Sequence, residues 1–223
     1  PVEFLEAGLR FVADLATGQK TGHFLDQREN RMRVAESCAG ARVLDVFAST
    51  GGFSVHALAG GARSVHLVDL SPAALATAER NLALNGLTGR HRVTQGDAFE
   101  VMEALRGARD RYDVVVIDPP SFAQRQDSVR GALSAYARLT TLGVGLVRSG
   151  GLLVQASCSA RVSADAFFRN VAAAAAEQRV EFVELARTGH PLDHPIGFPE
   201  GAYLKAVYAR VERGTRGAQR GRG

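Results

Sequence analysis

Cys158 has the sequence context of a nucleophile. It lies between two hydroxyl residues, Ser157 and Ser159, directly after an apolar run that predicts a buried strand. Most buried cysteines are small hydrophobic side chains, but a strand end flanked by two hydroxyls favours a reactive thiol. A thiol with an ordinary pKa of about 8.5 is only slightly ionised at pH 7, so it needs surroundings that favour the thiolate. Arg28 and Arg161 are candidates for this role.

Four aspartates occupy matching places in successive apolar runs. Asp45 lies within VLDV, Asp69 ends the next run, Asp97 follows the third in Gly-Asp-Ala, and Asp118 ends the fourth in DPPSF. Any one of them could simply cap a helix. Four acids at the ends of parallel strands instead indicate a ligand site, because ligands of such sheets bind outside the carboxyl ends of the strands.

The turn after the first run, DVFASTGGFS, contains Gly51 and Gly52, where a backbone can approach a ligand closely. It lacks the G-x-G-x-x-G spacing of dinucleotide-binding turns. Asp69 follows Gly51 by 18 residues, which suits a carboxylate that accepts hydrogen bonds from two ribose hydroxyls, and Asp97 and Ala98 suit an adenine edge. This combination resembles the class I S-adenosylmethionine-dependent methyltransferases, which we place ahead of NAD-binding proteins.

The DPPSF segment suits a planar base. In the methyltransferases that it resembles, an acid or amide before two prolines and an aromatic residue holds the amine-bearing edge of a base. Asp118 would accept the amine hydrogen, while Phe122 would either stack on the base or pack in the core. Carbon 5 of cytosine becomes nucleophilic only after a thiolate adds to carbon 6, and Cys158 would supply that thiolate. Cys38 precedes the first run and is interpreted as structural.

The segments around these residues predict a buried parallel sheet. Near-continuous apolar runs alternate with helical segments, at 42–48, 64–70, 91–98, 112–120 and 150–159. The segment 71–86 predicts a helix with Ser71 as its N-cap and Gly86 at its end. Runs at 179–186 and 203–211, joined by a proline-rich loop, predict an antiparallel hairpin at the sheet edge. We therefore predict an α/β, Rossmann-like class I methyltransferase fold with a mostly parallel sheet and an antiparallel edge strand.

The first residues predict an extension of this fold. Alternating apolar residues around a turn at Thr17-Gly18 indicate an N-terminal β-hairpin, and 27–40 favours a helix with Gly40 as C-cap. We expect this extension over 1–40, a methyltransferase domain over 41–211, and a disordered basic tail over 212–223.

Composition limits the class of protein. With 46% hydrophobic and 22% charged residues among 223, the chain is not of a disordered or low-complexity class. It has no apolar run near the ~18 residues of a membrane span and no signal-peptide pattern, so we expect a cytoplasmic protein without membrane contact. The formal charge of +4 suggests a nucleic-acid partner, but residues 210–223 hold five arginines and one acid, and the rest of the chain is balanced.

Five segments, in this order along the chain, resemble the bacterial large-subunit ribosomal RNA cytosine-C5 methyltransferase family. They are KTGHFLDQRENR, VLDVFASTGGFSVHAL, VVIDPPSFA, ASCSARVS and DHPIGFPEGAYLK. The resemblance extends to Val211. It implies transfer of a methyl group from S-adenosylmethionine to carbon 5 of a cytosine in large-subunit ribosomal RNA, with Cys158 as nucleophile and Asp118 as the ligand of the base edge.

The predicted site has a catalytic, a cofactor and a substrate group. Cys158 and Asp118 form the catalytic group. The cofactor group is Thr21, Gly22, Phe24, Asp26, Asp45, Phe47, Ser49, Thr50, Gly51, Gly52, Phe53, Asp69, Leu70, Ser71, Asp97, Ala98, Asp118 and Pro119, and the substrate group is Lys20, Arg28, Pro120 and Phe122. We predict no metal site, since His190 and His194 lack further ligands at ordered spacing. Lys205 is interpreted as a snorkelling lysine on an edge strand.

Several alternatives stay open. Many family members carry an N-terminal PUA RNA-binding module, and this chain starts too late to contain one, so it is either a fragment or recruits RNA differently. A related branch has a second cysteine after D-P-P, where this chain has Ser121, so the base that removes the carbon 5 proton is unassigned. The oligomeric state is open, a homodimer included. Other candidate functions are an RNA guanine N-methyltransferase, which needs no thiol, and a module that binds S-adenosylmethionine or RNA without turnover.

Overall fold

The computed structural model describes residues 2–13, 23–123, 125–198 and 201–214. The strands are β1 (Val2–Glu6), β2 (Leu9–Ala13), β3 (Arg42–Val46), β4 (Ser64–Asp69), β5 (His91–Gln95), β6 (Tyr112–Ile117), β7 (Val147–Ser157), β8 (Glu181–Thr188) and β9 (Lys205–Glu212). The α-helices are α1 (Arg28–Glu36), α2 (Gly52–Ala59), α3 (Pro72–Leu84), α4 (Ala98–Gly107), α5 (Val129–Leu146) and α6 (Ala164–Ala176), and short 3-10 turns cover Leu25–Gln27 and Gln126–Ser128. No described helix is long and apolar enough to cross a membrane.

The central sheet has seven strands in the order β5-β4-β3-β6-β7-β9-β8. Strands β3 to β7 pair in parallel, and β9 runs antiparallel to both β7 and β8. Val, Leu and Ile side chains of β3 and β6 are buried in clusters on both faces, which explains their near-continuous apolar sequences. The predicted Rossmann-like fold, with its antiparallel hairpin at the edge, is confirmed.

The N-terminal hairpin is confirmed, but its predicted turn is wrong. Strands β1 and β2 are joined at Ala7 and Gly8, which have φ of 49° and 80°. Two left-handed residues match the twist of a two-residue hairpin, so this pair turns the chain earlier than Thr17-Gly18, which lies outside the described residues.

The structure confirms the predicted start of one helix, α3, but not the predicted end of another, α1. Helix α3 begins as predicted, with Pro72 at its first position and the Ser71 hydroxyl accepting the Ala74 amide hydrogen bond at 3.2 Å. Helix α1 ends at Glu36, and Gly40, with φ of 70°, lies in the turn into β3 and is not a C-cap.

Strand β9 runs past the predicted domain boundary at 211. It continues to Glu212, and the Arg213 guanidinium donates hydrogen bonds to the carbonyls of Val144 and Val147 at 2.6 and 2.7 Å. Glu212 therefore still pairs with the sheet, and residues 215–223 of the predicted tail lie outside the described residues.

Candidate active site

A cavity of about 620 Å³ opens at the carboxyl ends of the parallel strands. It brings together many predicted residues from distant parts of the sequence, namely Phe24, Asp26, Phe47, Ser49, Thr50, Gly52, Phe53, Asp69, Leu70, Ser71, Asp97, Ala98, Asp118, Pro119, Pro120 and Cys158. Asp45, Gly51, Arg28 and Phe122 are predicted site residues that do not line it. Lys20, Thr21 and Gly22 lie outside the described residues.

The loop between β3 and α2 forms one wall with an unusual backbone. Phe47 and Ser49 have φ of 63° and 48°, left-handed values that non-glycine residues adopt at a cost of about 1–3 kcal/mol. The Ser49 amide donates a hydrogen bond to Asp69 at 2.8 Å, which holds this conformation. A Cβ on Gly51 would lie 2.8 Å from the Cβ of Ala78, so this glycine permits packing on α3 and does not face the cavity.

Asp69 and Asp97 lie side by side at the ends of β4 and β5. The second carboxylate oxygen of Asp69 accepts the Ser71 amide at 2.9 Å. Asp97 accepts the amides of Phe99 and Glu100, so it does cap α4 while it lines the cavity. Capping and lining are compatible because a carboxylate has more acceptor positions than a helix end uses.

Three predicted site residues have structural contacts that keep them out of the cavity. Asp45 is fully buried, and one of its oxygens accepts hydrogen bonds from the amide and hydroxyl of Ser54, so it joins β3 to α2. Arg28 pairs with Asp193 at 2.6 Å, so a carboxylate already matches its charge. Phe122 packs on Tyr136 with ring centroids 5.3 Å apart, as a core aromatic.

Asp118 is a carboxyl group with a raised pKa at the floor of the cavity. It accepts a hydrogen bond from the Gln27 side-chain amide at 2.9 Å. Burial, together with the nearby carboxylate of Asp26, raises the pKa of Asp118 to about 7. Such a group can exchange a proton near neutral pH.

Cys158 lies against the backbone of the DPP turn. Its Sγ is 3.7 Å from the Pro119 carbonyl oxygen, and it forms no disulfide. The hydroxyls of Ser157 and Ser159 hydrogen-bond the buried Tyr136 hydroxyl at 2.9 and 2.8 Å. The two flanking serines therefore bind the segment around Cys158 to α5, while Cys158 itself lines the cavity.

A family model for S-adenosylmethionine-dependent methyltransferases matches residues 2–210. The chain belongs to this family. S-adenosylmethionine is therefore the cofactor of this methyltransferase. Asp26 fits such a positively charged molecule, because it lines the cavity and one buried oxygen of its carboxylate has no hydrogen-bond partner among the described residues.

Relatives of the methyltransferase act, by their names, on ribosomal RNA. The chain is 46% identical over 212 residues to a "Ribosomal RNA large subunit methyltransferase" of Deinococcus radiodurans, covering 95% of this chain and 52% of the relative. It is 40% identical over 216 residues to a "Ribosomal RNA large subunit methyltransferase I" of Shewanella denitrificans, covering 95% and 54%. The chain thus spans about half the length of the curated relatives that it matches.

The crystal structure of "SMU.776, a putative methyltransferase complexed with SAH" superposes with a TM-score of 0.84 at 30% identity, covering 95% of this chain and 56% of that one. Trm5b from Pyrococcus abyssi shares the fold, with a TM-score of 0.69 at 20% identity over 94% of this chain and 55% of that one.

Helix α1 and the residue before it supply two cavity residues of the methyltransferase that the sequence did not predict. Gln27, just before the helix, contacts Asp118, and Arg31, one turn later, lines the same wall. Their spacing of four residues places both on one helix face, which was the available signal in KTGHFLDQRENR. Polar residues on a helix usually face solvent, so the pattern alone did not separate the two possibilities.

The interpretation of Lys205 as a snorkelling lysine is wrong. Its side chain is buried, and Nζ donates hydrogen bonds to the carbonyls of Ser159 and Val162, both at 2.6 Å. Strand β9 is not the edge strand, because β8 pairs along its outer side.

In the part of the chain that the structure describes, no cluster of His, Cys, Asp or Glu suits a metal ion.

Proposed function

We propose that this methyltransferase transfers a methyl group to carbon 5 of a cytosine in large-subunit ribosomal RNA through a covalent cysteine adduct. The observation that carries the proposal is the position of Cys158 against the DPP turn, in the same cavity as Asp118 and the strand-end aspartates. A methyltransferase that acts on an exocyclic or ring nitrogen needs no thiol there. The names of the relatives support ribosomal RNA as the substrate.

The cavity divides into two halves in this proposal. Asp69 would accept hydrogen bonds from the ribose of the cofactor, and Asp97 with Ala98 would border its adenine. Asp26 would receive its positively charged groups, since this carboxylate lines the cavity and one of its oxygens has no hydrogen-bond partner among the described residues. The cofactor supplies an electrophilic methyl group on a sulfonium centre. Asp118, Pro119, Pro120 and Cys158 would border the cytosine on the other side.

Cys158 would act first. Its thiolate forms a bond from Sγ to carbon 6 of the cytosine, which makes carbon 5 electron-rich enough to take the methyl group. Asp118 would hold the base by accepting a hydrogen bond from the exocyclic amine. Carbon 5 takes the methyl group as the bond from that group to the sulfonium sulfur breaks. Loss of the carbon 5 proton to a base, together with cleavage of the bond from Sγ to carbon 6, then restores the double bond and returns the thiolate.

Methyl transfer by a Cys158→Ala variant tests the covalent step. We expect 5-methylcytidine in digests of large-subunit ribosomal RNA treated with the wild-type protein and labelled cofactor, and at least about a hundredfold less with Cys158→Ala. The matched control is Cys38→Ala, which removes a buried thiol between α1 and β3 that does not line the cavity. RNA containing 5-fluorocytosine should also trap a covalent complex with wild-type protein, because fluorine cannot leave as a proton does.

Other results would contradict the proposal in distinct ways. Full activity of Cys158→Ala, with methylguanosine as the product, would identify a guanine N-methyltransferase. Cofactor binding without any labelled base would identify a binding module.

A further inference from the structure

Lys205 places a buried ammonium group behind the segment that carries Cys158. The side chain is 3% exposed, and its three described hydrogen-bond acceptors are neutral carbonyls, those of Ser159, Val162 and Tyr203 at 2.6, 2.6 and 3.1 Å. A buried ammonium group is costly unless all its hydrogens are bonded, and here three carbonyls accept three hydrogens. Two of these carbonyls belong to the loop that follows Cys158.

The sheet register fixes the lysine next to the cysteine. Lys205 is the first residue of β9 and pairs with Ser157, the last residue of β7 and the neighbour of Cys158. The positive charge of Lys205 and a negative charge on Cys158 are near enough to attract each other. Burial lowers the pKa of Lys205 to about 8, so the side chain still carries its charge at pH 7.

Two carboxyl groups near the thiol disfavour its ionised form. Asp118 and Asp26 line the same cavity, and the negative charge of an ionised carboxylate there opposes a thiolate. Further titratable groups facing this site are Tyr136 of α5 and, in the connection between β8 and β9, Tyr203 and His190. Arg31 and His23 also line the cavity, and both contact the Glu6 carboxylate. Arg28, a candidate partner from the sequence, is paired with Asp193.

We propose that Lys205 is a positioning residue that holds the Cys158 loop through its carbonyls and favours the thiolate form of Cys158. The inference rests on the proposed function, in which Cys158 is the nucleophile. On ionisation the thiol proton leaves Sγ for solvent, while Lys205 keeps its three protons and its charge. Its role is electrostatic and geometric, and no proton passes through it.

Alkylation of Cys158 by iodoacetamide, followed by peptide mass spectrometry from pH 6 to 10, tests this inference without RNA. Only the thiolate reacts, so the rate reports its population. We expect Lys205→Met to lower the alkylation rate at pH 7 five- to tenfold. The midpoint of the curve of rate against pH should move upward by at least half a pH unit. Lys205→Gln keeps donors for the carbonyls but lacks the charge, so it should move the midpoint by the same amount. The alkylation rate of Lys205→Arg should stay within twofold of the wild-type rate.

The matched control is Arg161→Met, which removes an exposed cation three residues after Cys158 and should leave the midpoint unchanged. Circular dichroism and cofactor affinity report whether each variant is folded. If Lys205→Met does not fold, Lys205→Gln decides, and if neither folds, a wild-type midpoint below the ordinary value of about 8.5 supports the inference. An unchanged rate in a folded, uncharged variant, or a wild-type midpoint at or above that value, overturns it. Failure of the proposed function would appear separately, as methyl transfer by Cys158→Ala.

Discussion

At the scale of single residues, a chain of side-chain hydrogen bonds fixes the Asp118 carboxyl group. Gln27 donates to Asp118, and the Asn30 side-chain amide donates to Gln27 at 2.6 Å. The other end of the Asn30 amide accepts from the hydroxyls of Thr188 and Tyr208, at 2.7 and 2.9 Å. This order of donors and acceptors leaves the Gln27 NH₂ group facing Asp118, and it joins the cavity floor to β8 and β9.

The raised pKa of Asp118 predicts how the stability of the protein depends on pH. The group titrates near pH 7 in the folded chain and near 3.9 in the unfolded chain, so between these values the unfolded chain loses its proton first. The free energy of unfolding contributed by this group is therefore highest below about pH 4, falls as the pH rises, and levels off above about pH 7.

Asp118→Asn should abolish this fall, because asparagine cannot ionise and still offers Gln27 an oxygen. We expect the free energy of unfolding without cofactor to rise by about 2 to 4 kcal/mol at pH 8 and to stay near the wild-type value at pH 4. Urea denaturation at both pH values provides the measurement. An equal effect at pH 4 and pH 8 would show that the substitution acts through packing and not through charge.

The sequence predicted which residues line the cavity better than it predicted the contacts of individual side chains. Asp69, Asp97, Asp118 and Cys158 were found because each follows an apolar run, and the sheet brings such ends together. Lys205 was misinterpreted because burial of a lysine depends on β8 covering β9, a pairing across residues that share no local pattern. Long-range packing of this kind leaves no periodicity in the sequence.

At the scale of elements, a buried charge cluster connects the N-terminal hairpin to the cavity. Glu6, the last residue of β1, accepts two hydrogen bonds from the Arg31 guanidinium, and the ring nitrogens of His23 and His56 lie 3.3 and 3.0 Å from its oxygens. Burial lowers the pKa of His23, and Arg31 forms the buried ion pair with Glu6. Because Arg31 lines the cavity, the hairpin supports a wall of the site.

Glu6→Gln should destabilise the protein strongly, since it leaves the buried Arg31 charge without its counter-ion. We expect the free energy of unfolding to fall by about 3 kcal/mol in urea denaturation. Glu3→Gln on the same strand is the control, because Glu3 pairs with Arg10 on the surface at 2.8 Å and should cost less than about 1 kcal/mol. Equal effects of the two substitutions would contradict a stabilising role for the cluster.

The hairpin also shows where element prediction from sequence fails. The alternating apolar residues correctly indicated two strands, but a turn at Ala7-Gly8 has only one glycine to mark it, and Thr17-Gly18 offered an equal signal. The strands of the sheet were predictable because burial on both faces demands continuous apolar sequence. Hairpin register depends instead on contacts such as the Val12 amide with the Asn81 side chain at 2.8 Å, which only the folded chain reveals.

At the scale of the whole molecule, positive charge is concentrated at one end of the sequence. The chain carries 27 basic and 23 acidic residues, yet residues 210–223 alone contribute a net charge of +4. Arg213 in this segment is held by the carbonyls of Val144 and Val147. Arg216, Arg220 and Arg222 follow it in the sequence, and they are the arginines that a truncation can remove without disturbing β9.

Deletion of residues 215–223 should weaken RNA binding in proportion to the phosphate contacts that these three arginines make. Each contact with single-stranded RNA releases about 0.7 counter-ion, so the slope of log affinity against log salt concentration should become shallower by up to about 2. Filter binding of a single-stranded RNA oligonucleotide between 50 and 300 mM KCl measures the slope, and calorimetry with S-adenosylmethionine should give an unchanged affinity.

Replacing all three arginines with lysine should preserve the slope, and replacing them with glutamine should reproduce the deletion, since the effect depends on charge and not on length. An identical slope for the deletion and the wild-type protein would mean that the folded body alone supplies the phosphate contacts.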